Sequence, residues 1–382
     1  MSDEVLIISR TSPRLDPRAR FLVSVLATRY PVRVVAGRAR QLSAEPWDIP
    51  KAQLWEVPLA LEGRRPWILT GPLRLLQLNL AGVWDWARRG ARLVVFSDVT
   101  YCLPGVMAKL LRGIPCAYNS QEIIWANEMP RPISALFRRL ERMLLQRCDL
   151  WIVASEARAR VVLQAQRMNR DYLVIENLPL VTSPPDLVGD RSERRARLGL
   201  SPEERVVMFQ GNLFRKRGLE ELVEAAQGAS FHVVVQGGGP LQGMLTRRSA
   251  PNLHYLEPCP NREALGWVAI ADLAFVYYGE NDLNSAYACS GKFYNAVYAG
   301  VPVLCNRLPA FLEFAERHGG VAFLESLAPD GLRERITQIL QDPELRRDLA
   351  RQMRQAALDL SRTPREENLL RAVEGALAPL TR

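Results

Sequence analysis

The sequence predicts an α/β protein built from two doubly wound domains, and three observations lead to that prediction. At 382 residues, the chain is longer than one hydrophobic core usually supports. Short apolar runs alternate with longer amphipathic ones, as in a parallel sheet covered by helices. This alternation breaks in a cluster of prolines near residue 180 and then starts again. We predict domains over residues 1–182 and 183–360, and a last helical segment over 361–382 that packs back toward the first domain.

The first half of the chain opens with a βαβ unit. Strands predicted at 5–8 and 32–36 flank a helix over 17–30, in which Phe21, Leu22 and Leu26 fall on one face. Further strands are predicted at 54–57, 93–96, 115–119, 150–154 and 173–176. Helical patterns at 73–88, 103–111, 133–147 and 155–167 separate them. Because helices alternate with the strands, we expect a mostly parallel sheet.

The second half repeats this order after the proline-rich stretch over 178–187, where we place the linker. Strands are predicted at 206–210, 231–235, 253–256, 273–277 and 301–304, and helices at 219–226, 263–270 and 293–299. Near the end, Thr363, Pro364 and Glu366 have the spacing of a capping box. They predict a final amphipathic helix that begins with Thr363 as its cap.

Composition narrows the class of protein. Hydrophobic residues make up 48% and charged residues 24%, which is typical of a globular chain. The net charge is +9, carried almost entirely by arginines spread along the helices, and no motif with stacking aromatics accompanies them. Nucleic acid is therefore not the expected partner. No apolar run is long enough to span a membrane and the first residues do not resemble a secretion signal, so we expect a cytoplasmic protein.

The six cysteines occur singly, with no Cys-x-x-Cys pair and only three histidines in the chain. This spacing favours neither zinc nor a disulfide framework. We expect no metal site, with the cysteines acting as small core residues.

A basic glycine-containing segment follows the predicted strand at 206–210. Gly211 and Asn212 come directly after this strand, and the basic run Arg215, Lys216 and Arg217 precedes the next helix. At the carboxyl end of a parallel strand, glycines let the backbone approach an anion, and basic side chains can neutralise a diphosphate. The alternative is a solvated basic loop.

A second candidate anion site lies at Ser290, Gly291 and Lys292, ahead of the predicted helix at 293–299. Free backbone N–H groups, the positive end of the helix dipole, a hydroxyl and one of only four lysines coincide there. Ser290 and Gly291 could instead merely cap the helix. Both segments are expected at the same edge of the second sheet.

These segments resemble glycosyltransferase family 4, and the resemblance spans nearly the whole chain. The segment from Gly211 to Leu222 is similar to the family's Gly-(Arg/Asn) to (Lys/Arg)-Gly-x-x-x-Leu pattern. Residues 237–241 resemble its Gly-x-Gly-Pro-Leu turn, and residues 289–303 a subgroup that reads Ser-Pro-Asn-Lys-Leu-Phe-Glu before Ala-Gly-Val-Pro-Val. Residues 141–156 and 174–179 are similar to its Glu, Ala-Asp, Val-x-Val-Ser and Ile-x-Asn-x-Pro segments.

The resemblance implies a GT-B fold, in which two Rossmann-like domains face a central cleft. It also implies transfer of a hexose-type sugar, with retained anomeric configuration, from a nucleotide diphosphate sugar to a glycan, lipid-linked or small-molecule acceptor. No cofactor or metal is required, because electrostatics stabilises the leaving diphosphate. A role in polysaccharide biosynthesis is a further implication.

The resemblance also implies a role for each candidate residue. The catalytic candidates are Arg217, Lys216, Gln121 and Asp98. The donor diphosphate is expected at Gly211, Asn212, Arg215, Ser290, Gly291 and Lys292. The nucleobase and ribose are expected at Glu257, Pro258, Cys259, Asn261 and Asn295. The acceptor side is expected at Ser12, Arg14 and Glu122.

The sequence departs from the family pattern at three places within the expected site. Tyr287 and Asn295 stand where the family usually has a Glu-x7-Glu pair, so an amide replaces the ribose-binding carboxylate. Gln121 stands where a histidine normally lines the acceptor side, which removes a titratable group. A Gly-Gly near the first strand is also missing. A degenerate protein that binds a nucleotide or a partner without catalysis is therefore an alternative, and a sugar-nucleotide epimerase is another.

The predicted helix at 133–147 allows two interpretations. Ile133, Leu136, Phe137, Leu140 and Leu144 fall on one side and arginines elsewhere. This pattern suits a core-facing helix with a solvated basic face. It also suits peripheral contact with the anionic inner face of a membrane.

Overall fold

Two parallel sheets organise the chain, each in its own compact unit. The structure is a computed structural model that describes residues 3–38, 45–58, 67–126, 129–179, 191–247, 250–279 and 282–378. The first unit comprises residues 1–176, 282–284 and 364–382, and the second comprises residues 177–281 and 285–363. The predicted junction at 182/183 and most of the predicted linker lie outside the described residues.

The first unit is a seven-stranded parallel sheet in the order β3-β2-β1-β4-β5-β6-β7. Its elements are β1 (Val5–Ser9), α1 (Pro17–Arg29), β2 (Val32–Gly37), β3 (Ala52–Val57), α2 (Trp67–Arg89), β4 (Leu93–Ser97), α3 (Leu103–Arg112), β5 (Cys116–Ser120), α4 (Arg131–Arg147), β6 (Leu150–Val153), α5 (Glu156–Gln166) and β7 (Leu173–Val174). Every residue of β1, β4 and β5 is buried, because helices cover both faces of the central strands.

The second unit is a six-stranded parallel sheet in the order β10-β9-β8-β11-β12-β13. Its elements are α6 (Arg191–Arg197), β8 (Arg205–Gln210), α7 (Leu219–Ala225), β9 (Phe231–Gln236), α8 (Gln242–Arg247), β10 (Leu253–Leu256), α9 (Asn261–Val268), β11 (Leu273–Val276), α10 (Leu283–Ala286), α11 (Gly291–Tyr298), β12 (Val303–Cys305), α12 (Pro309–His318), β13 (Val321–Phe323), α13 (Pro329–Gln341) and α14 (Pro343–Arg362). Residues 282–284, within and just before α10, belong to the first unit.

Both sheets change their direction of winding at one point. In the first unit this point lies between β1 and β4, and in the second it lies between β8 and β11. Helices diverge to opposite faces there, so the carboxyl ends of the two strands leave an open crevice in which ligands of doubly wound proteins bind. The predicted two parallel α/β Rossmann-like domains are confirmed.

The last helix, α15 (Arg365–Leu377), packs within the first unit against α1, β6 and β7. Leu369 and Val373 are fully covered, and Arg365 stacks on Phe21. The prediction that Thr363 caps this helix is wrong. Pro364 occupies the cap position without a side-chain bond, because α14 continues to Arg362 and the Thr363 hydroxyl donates back to the Asp359 carbonyl oxygen.

The segment from 306 to 362 forms three helices and a strand that the sequence analysis did not place. α14 begins at Pro343, capped by Asp342, whose carboxylate accepts from the N–H groups of Glu344 and Leu345. Leu349, Met353, Ala356 and Ala357 form its buried face. Helices α12 and α14 complete the core around Phe293 and Phe311, and α13 packs into the second apolar cluster of this unit.

Helix α4 is only partly covered. Glu141, Leu144 and Leu145 are buried, whereas Ile133 and Leu136 are exposed. The expectation of a helix whose apolar side faces the core therefore holds for its carboxyl-terminal half only. No helix in the described part of the chain is long and apolar enough to cross a membrane.

Candidate functional site

A pocket of about 90 Å³ opens in the second unit at the point where the winding of its sheet reverses. Its walls come from the end of β8 and the loop after it, from the end of β11, and from the start of α11. The polar side chains that line it are Gln210, Asn212, Arg217, Tyr277, Tyr278, Ser290 and Lys292. The two segments that the sequence singled out as anion sites thus contribute to one pocket.

Arg217 and Ser290 are connected through Tyr278. The Arg217 guanidinium lies over the Tyr278 ring, 3.8 Å from its centre. The Tyr278 hydroxyl lies 3.0 Å from the Ser290 Oγ, which caps α11 by accepting from the Phe293 N–H. This stacking fixes the direction of a long side chain before any ligand arrives, which lowers the entropy cost of binding.

The pocket carries positive charge that protein carboxylates do not neutralise. Among the described residues, no carboxylate lies within ion-pair distance of Arg217 or Lys292. Burial lowers the pKa of Lys292 from its usual range, and Cys259 opposes this shift. A half-buried cation without a protein counter-ion is stabilised by a bound anion.

Glycines shape the loop that borders the pocket. The Gly211 N–H donates to the Gln236 carbonyl oxygen and the Leu213 N–H to that of Gly238, so the loop after β8 runs alongside the turn after β9. A Cβ atom at Gly237 would lie 1.8 Å from the Gly211 oxygen. The Gly-x-Gly-Pro turn is therefore required for close backbone packing, and Gly237 itself does not line the pocket.

The structure separates the three basic residues of the loop. Arg217 is half-buried and lines the pocket, whereas Arg215 and Lys216 are exposed and do not. Lys216 has a positive φ of 64°, and its carbonyl oxygen accepts from the Gly279 N–H, so its backbone ties the loop to the end of β11. Gly211 and Asn212 line the pocket, and Gly291 is the first residue of α11.

The residues expected at the nucleobase and ribose lie beside the pocket without lining it. Asn295 is buried and its amide donates to Gln210 Oε1 over 2.6 Å. Gln210 in turn donates to Gln236, and Gln236 to the Cys259 sulfur. An amide network thus occupies the position at which the family pattern has a carboxylate.

The loop between β10 and α9 contains Cys259 and therefore adjoins this amide network. Pro258 lies close to Gly238, with its Cγ 3.1 Å from the position of an added Cβ. Glu257 is exposed and accepts from Gln242, and Asn261 is the first residue of α9. Tyr287 is half-buried in the turn before Ser290 and does not line the pocket.

A second polar cluster lies in the first unit, at the corresponding switch point between β1 and β4. Asp98 follows β4 and is fully buried with a positive φ of 57°. Its Oδ1 accepts from the N–H groups of Gln121 and Glu122, over 2.7 and 2.9 Å. Its Oδ2 is buried with no hydrogen-bond partner in the described structure.

Burial raises the pKa of Asp98 from 3.8 to about 6, while the nearby Arg10 guanidinium opposes the shift. Arg10 forms an ion pair with Glu122 over 2.9 Å. Gln121 Nε2 donates to the Asp16 carboxylate over 3.1 Å, and the Arg158 guanidinium donates to the Gln121 carbonyl oxygen. The structure therefore brings together Asp98, Gln121 and Glu122, with Arg10 as a neighbour that the sequence analysis did not include.

Ser12 and Arg14 form hydrogen bonds that hold the loop after β1 in place. Ser12 is fully buried, and its carbonyl oxygen accepts from the N–H groups of Leu15 and Asp16. Arg14 donates to the Glu45 carbonyl oxygen over 2.8 Å and lies 3.7 Å from Glu56. These contacts place Arg14 toward β3, away from the Asp98 cluster.

No group of three or more potential metal ligands occurs among the described residues. The six cysteines form no disulfide, and the Cys116 and Cys148 sulfurs lie 3.5 Å apart in the core of the first unit. His232 and His254 pair with each other across β9 and β10, and His318 ends α12. None of the three histidines lines the pocket.

Comparison with known proteins gives a fold. No family model and no curated protein matches the chain. Among solved structures, a sucrose-phosphate synthase from Thermosynechococcus elongatus is 17% identical with a TM-score of 0.74, and the match covers 98% of each chain. WaaG, a glycosyltransferase involved in lipopolysaccharide biosynthesis, is 15% identical with a TM-score of 0.71 over 96% of this chain and 98% of its own.

Anabaena Alr3699/HepE in complex with UDP-glucose is 14% identical with a TM-score of 0.68, covering 99% of both chains. A UDP-N-acetylglucosamine 2-epimerase from Rickettsia bellii is also 14% identical, with a TM-score of 0.63 over 100% of this chain and 99% of its own. Identity at this level shows the fold alone, and that fold is shared by proteins with different reactions. The chain has the GT-B fold, with two Rossmann-like α/β domains.

Proposed function

We propose that the protein is a retaining glycosyltransferase resembling family 4, which binds a nucleotide diphosphate sugar through its second unit. The observation that carries this proposal is the convergence of Arg217, Ser290 and Lys292 on one pocket at the switch point of the sheet. Two cations without protein counter-ions and a helix amino terminus match the charge of a diphosphate. The donor would be a hexose-type sugar nucleotide, and the acceptor a glycan or lipid-linked sugar.

In this proposal, the chain's own cations stabilise the departing diphosphate. Negative charge grows on the diphosphate as the glycosidic bond breaks, so groups aimed at that charge are worth more in the transition state than in the ground state. Arg217 is held by Tyr278 and the helix by its Ser290 cap. Little reorganisation is then needed at the moment of reaction.

The acceptor side is proposed at the Asp98 cluster of the first unit. The unpartnered Oδ2 of Asp98 can accept a hydrogen bond from a sugar hydroxyl. With a pKa of about 6, Asp98 is mostly ionised at neutral pH and can take part in proton movement there. Gln121 contributes an amide in place of the family's histidine.

The nucleotide-binding test compares Arg217→Ala with Arg215→Ala by calorimetry, using UDP, GDP and ADP. Arg217→Ala should weaken binding of the preferred diphosphate by about 1 kcal/mol or more, as loss of a charge-assisted contact does. Arg215→Ala removes the same charge from an exposed neighbour and should change affinity less than twofold. Equal effects of both variants would reduce the site to a general basic surface.

Two other functions must be distinguished from sugar transfer. A degenerate protein would bind the diphosphate normally but neither hydrolyse nor transfer the sugar. A sugar-nucleotide epimerase would release an epimer of a labelled donor, although the placement of all three histidines outside the pocket disfavours this reaction. Incubation with labelled sugar nucleotides, with and without mixed glycan acceptors, distinguishes all three outcomes.

We also propose that the first unit contacts an anionic bilayer, in keeping with a lipid-linked acceptor and a peripheral position on the inner face of the membrane. The observation behind this is the surface of α2, α3 and α4. Their basic residues are Arg74, Arg88, Arg89, Lys109, Arg112, Arg131, Arg138, Arg139, Arg142 and Arg147. Their carboxylates, Asp85 and Glu141, are both buried and hydrogen-bonded.

Apolar side chains accompany this charge. Leu73, Leu76, Leu80 and Trp84 form a stripe along α2 at helical spacing, and the last three of them are each 52% exposed. Trp84 packs against Trp55, and the Arg88 guanidinium lies over its ring. Right-handed crossovers place α2, α3 and α4 on the same face of the sheet. Leucines and tryptophan set among arginines complement an anionic lipid surface.

A further inference from the structure

A second pocket, of about 220 Å³, opens in the second unit at the edge of the sheet where β8 and β9 begin. The first residues of these strands, Arg205 and Phe231, contribute to its walls, together with the end of α13 and the start of α14. Its polar side chains are Arg205, Ser230, Thr337, Gln341 and Arg346. We call it the arginine pocket.

The arginine pocket is separate from the site proposed for the sugar nucleotide. β8 runs from Arg205, which lines the arginine pocket, to Gln210, which lines the other. A six-residue parallel strand spans about 17 Å between its end residues. The two pockets therefore lie at opposite edges of one sheet, and one small ligand cannot occupy both.

Positive charge is in excess around this pocket. Arg191, Arg195 and Arg205 all lie within ion-pair distance of a single carboxylate, that of Asp272, at 3.2, 3.1 and 3.7 Å. Asp272 also accepts from the Val206 N–H over 2.9 Å, so its oxygens are already shared among several donors. One carboxylate thus serves three guanidinium groups.

Arg346 adds a further cation. In the described part of the chain it forms no ion pair, and its Nη1 donates to the Leu340 carbonyl oxygen over 2.5 Å. Burial and the neighbouring Arg205 lower its pKa, Asp272 opposes this shift, and Arg347 and Arg191 add to it. Guanidiniums held close together in partly buried positions repel each other, and a bound anion removes that repulsion.

We propose that the arginine pocket binds a small phosphate-bearing molecule, independently of the sugar-nucleotide site. Arg205 and Arg346 supply paired N–H donors suited to phosphate oxygens, and the Ser230 and Thr337 hydroxyls add neutral donors. Phe231 and Leu340 offer an apolar wall for the remainder of the ligand. Because the pocket joins α13 and α14 to the sheet, its ligand stabilises the second unit.

Calorimetry with inorganic phosphate tests the proposal. The protein is first saturated with UDP, so that the other pocket is filled, and phosphate is then titrated at constant ionic strength. We expect saturable binding that weakens at least fivefold in Arg346→Gln and in Arg205→Gln. Arg351→Gln, which removes an exposed arginine from the same helix, should bind phosphate as the wild type does. Circular dichroism checks that each variant is folded.

Arg217→Ala distinguishes this site from the sugar-nucleotide site. Phosphate affinity should be unchanged in that variant, whether or not the protein proves to be a glycosyltransferase. The proposal is overturned if phosphate shows no saturable binding, if Arg346→Gln binds it as tightly as Arg351→Gln, or if Arg217→Ala abolishes the signal. If either Arg346→Gln or Arg205→Gln fails to fold, the phosphate affinity of the other variant tests the proposal.

Discussion

Single residues divide into those whose chemistry is readable in the sequence and those whose meaning depends on neighbours. The positions of Arg217 and Ser290 were predictable, because Arg217 lies between a parallel strand and a helix and Ser290 directly precedes a helix, where backbone N–H groups point outward. Tyr278 was not predicted, since its role comes from Arg217 stacking on it and from Ser290 bonding to it. Adjacent tyrosines at 277 and 278 at a strand end were the available signal.

Asn295 illustrates the opposite case. The sequence suggested that the Asn295 amide binds a ribose hydroxyl. In the structure this amide donates to Gln210 within a buried network. Polar residues inside a helix give no sequence signal that separates ligand contact from internal hydrogen bonding. The role of Asn295 toward a ribose stays a prediction, and its contact with Gln210 suggests that it positions the end of β8.

The raised pKa of Asp98 predicts a pH dependence of stability. Because its folded pKa of about 6 exceeds the unfolded value of 3.8, the folded state holds a proton that the unfolded state loses. This contribution is fully present below pH 3.8 and is lost as the pH rises through 6. Asp98→Asn keeps the acceptor for Gln121 and Glu122 but never ionises.

Denaturant unfolding of wild type and Asp98→Asn between pH 4 and 7 should therefore diverge. The variant should gain stability relative to wild type as the pH rises, by up to about 3 kcal/mol, the equivalent of a shift of roughly two pK units. If the free energies of unfolding of wild type and variant change in parallel across this pH range, then Asp98 ionises without cost in the folded state.

At the scale of elements, the loops after β8 and β9 act as one structure. The Gly211 and Leu213 N–H groups donate to the carbonyl oxygens of Gln236 and Gly238, and this pairing accompanies the position of Gly211 and Asn212 on the pocket wall. A side chain in the second loop therefore disturbs the first. The basic loop and the Gly-x-Gly-Pro turn were recognised separately in the sequence, and only the strand pairing joins them.

Gly237→Ala should weaken binding of a nucleoside diphosphate at least tenfold, because the added methyl group would displace the Gly211 carbonyl. Gly228→Ala is the matched control. It also has a positive φ, of 70°, but an added Cβ there meets nothing within 4 Å. It should cost about 1 kcal/mol of stability and leave binding unchanged. Calorimetry and urea unfolding measure the two effects, and equal binding by both alanine variants would contradict the coupling of the loops.

All parallel strands except β13 were predictable to within a few residues, because continuous apolar runs flanked by amphipathic helices have few alternative folds. The helices after 306 were harder. α13 and α14 are separated by Asp342 alone, and their many charged residues dilute the apolar periodicity. The environment of the exposed half of α4 was ambiguous for a related reason. The same spacing of apolar residues is expected for a helix that packs on a protein core and for one that contacts lipid.

For the whole molecule, the proposed bilayer contact is tested by flotation with vesicles of phosphatidylcholine, with or without phosphatidylglycerol. Wild type should float only with the anionic vesicles. The double variant Leu76→Glu/Leu80→Glu places carboxylates on the apolar stripe and should remain at the bottom. Leu345→Glu/Leu358→Glu changes two leucines of the second unit, each 37% exposed, and should float like wild type.

Flotation that is equal for the two double variants would argue against the stripe on α2. Failure of the wild type to float with anionic vesicles would remove the bilayer contact altogether. Neither result bears on nucleotide binding, because these leucines lie outside the pocket of the second unit.

The return of α15 to the first unit affects how the molecule is synthesised. The ribosome delivers every residue of the second unit before it delivers Leu369 and Val373, which cover α1 and neighbouring strands. The first unit to emerge is thus the last to be completed. A nascent chain stalled before residue 364 would contain every residue of the second unit. Its first unit would still lack α15, so the apolar surface around Phe21 would be exposed. Exposed apolar surface of this kind is what chaperones bind.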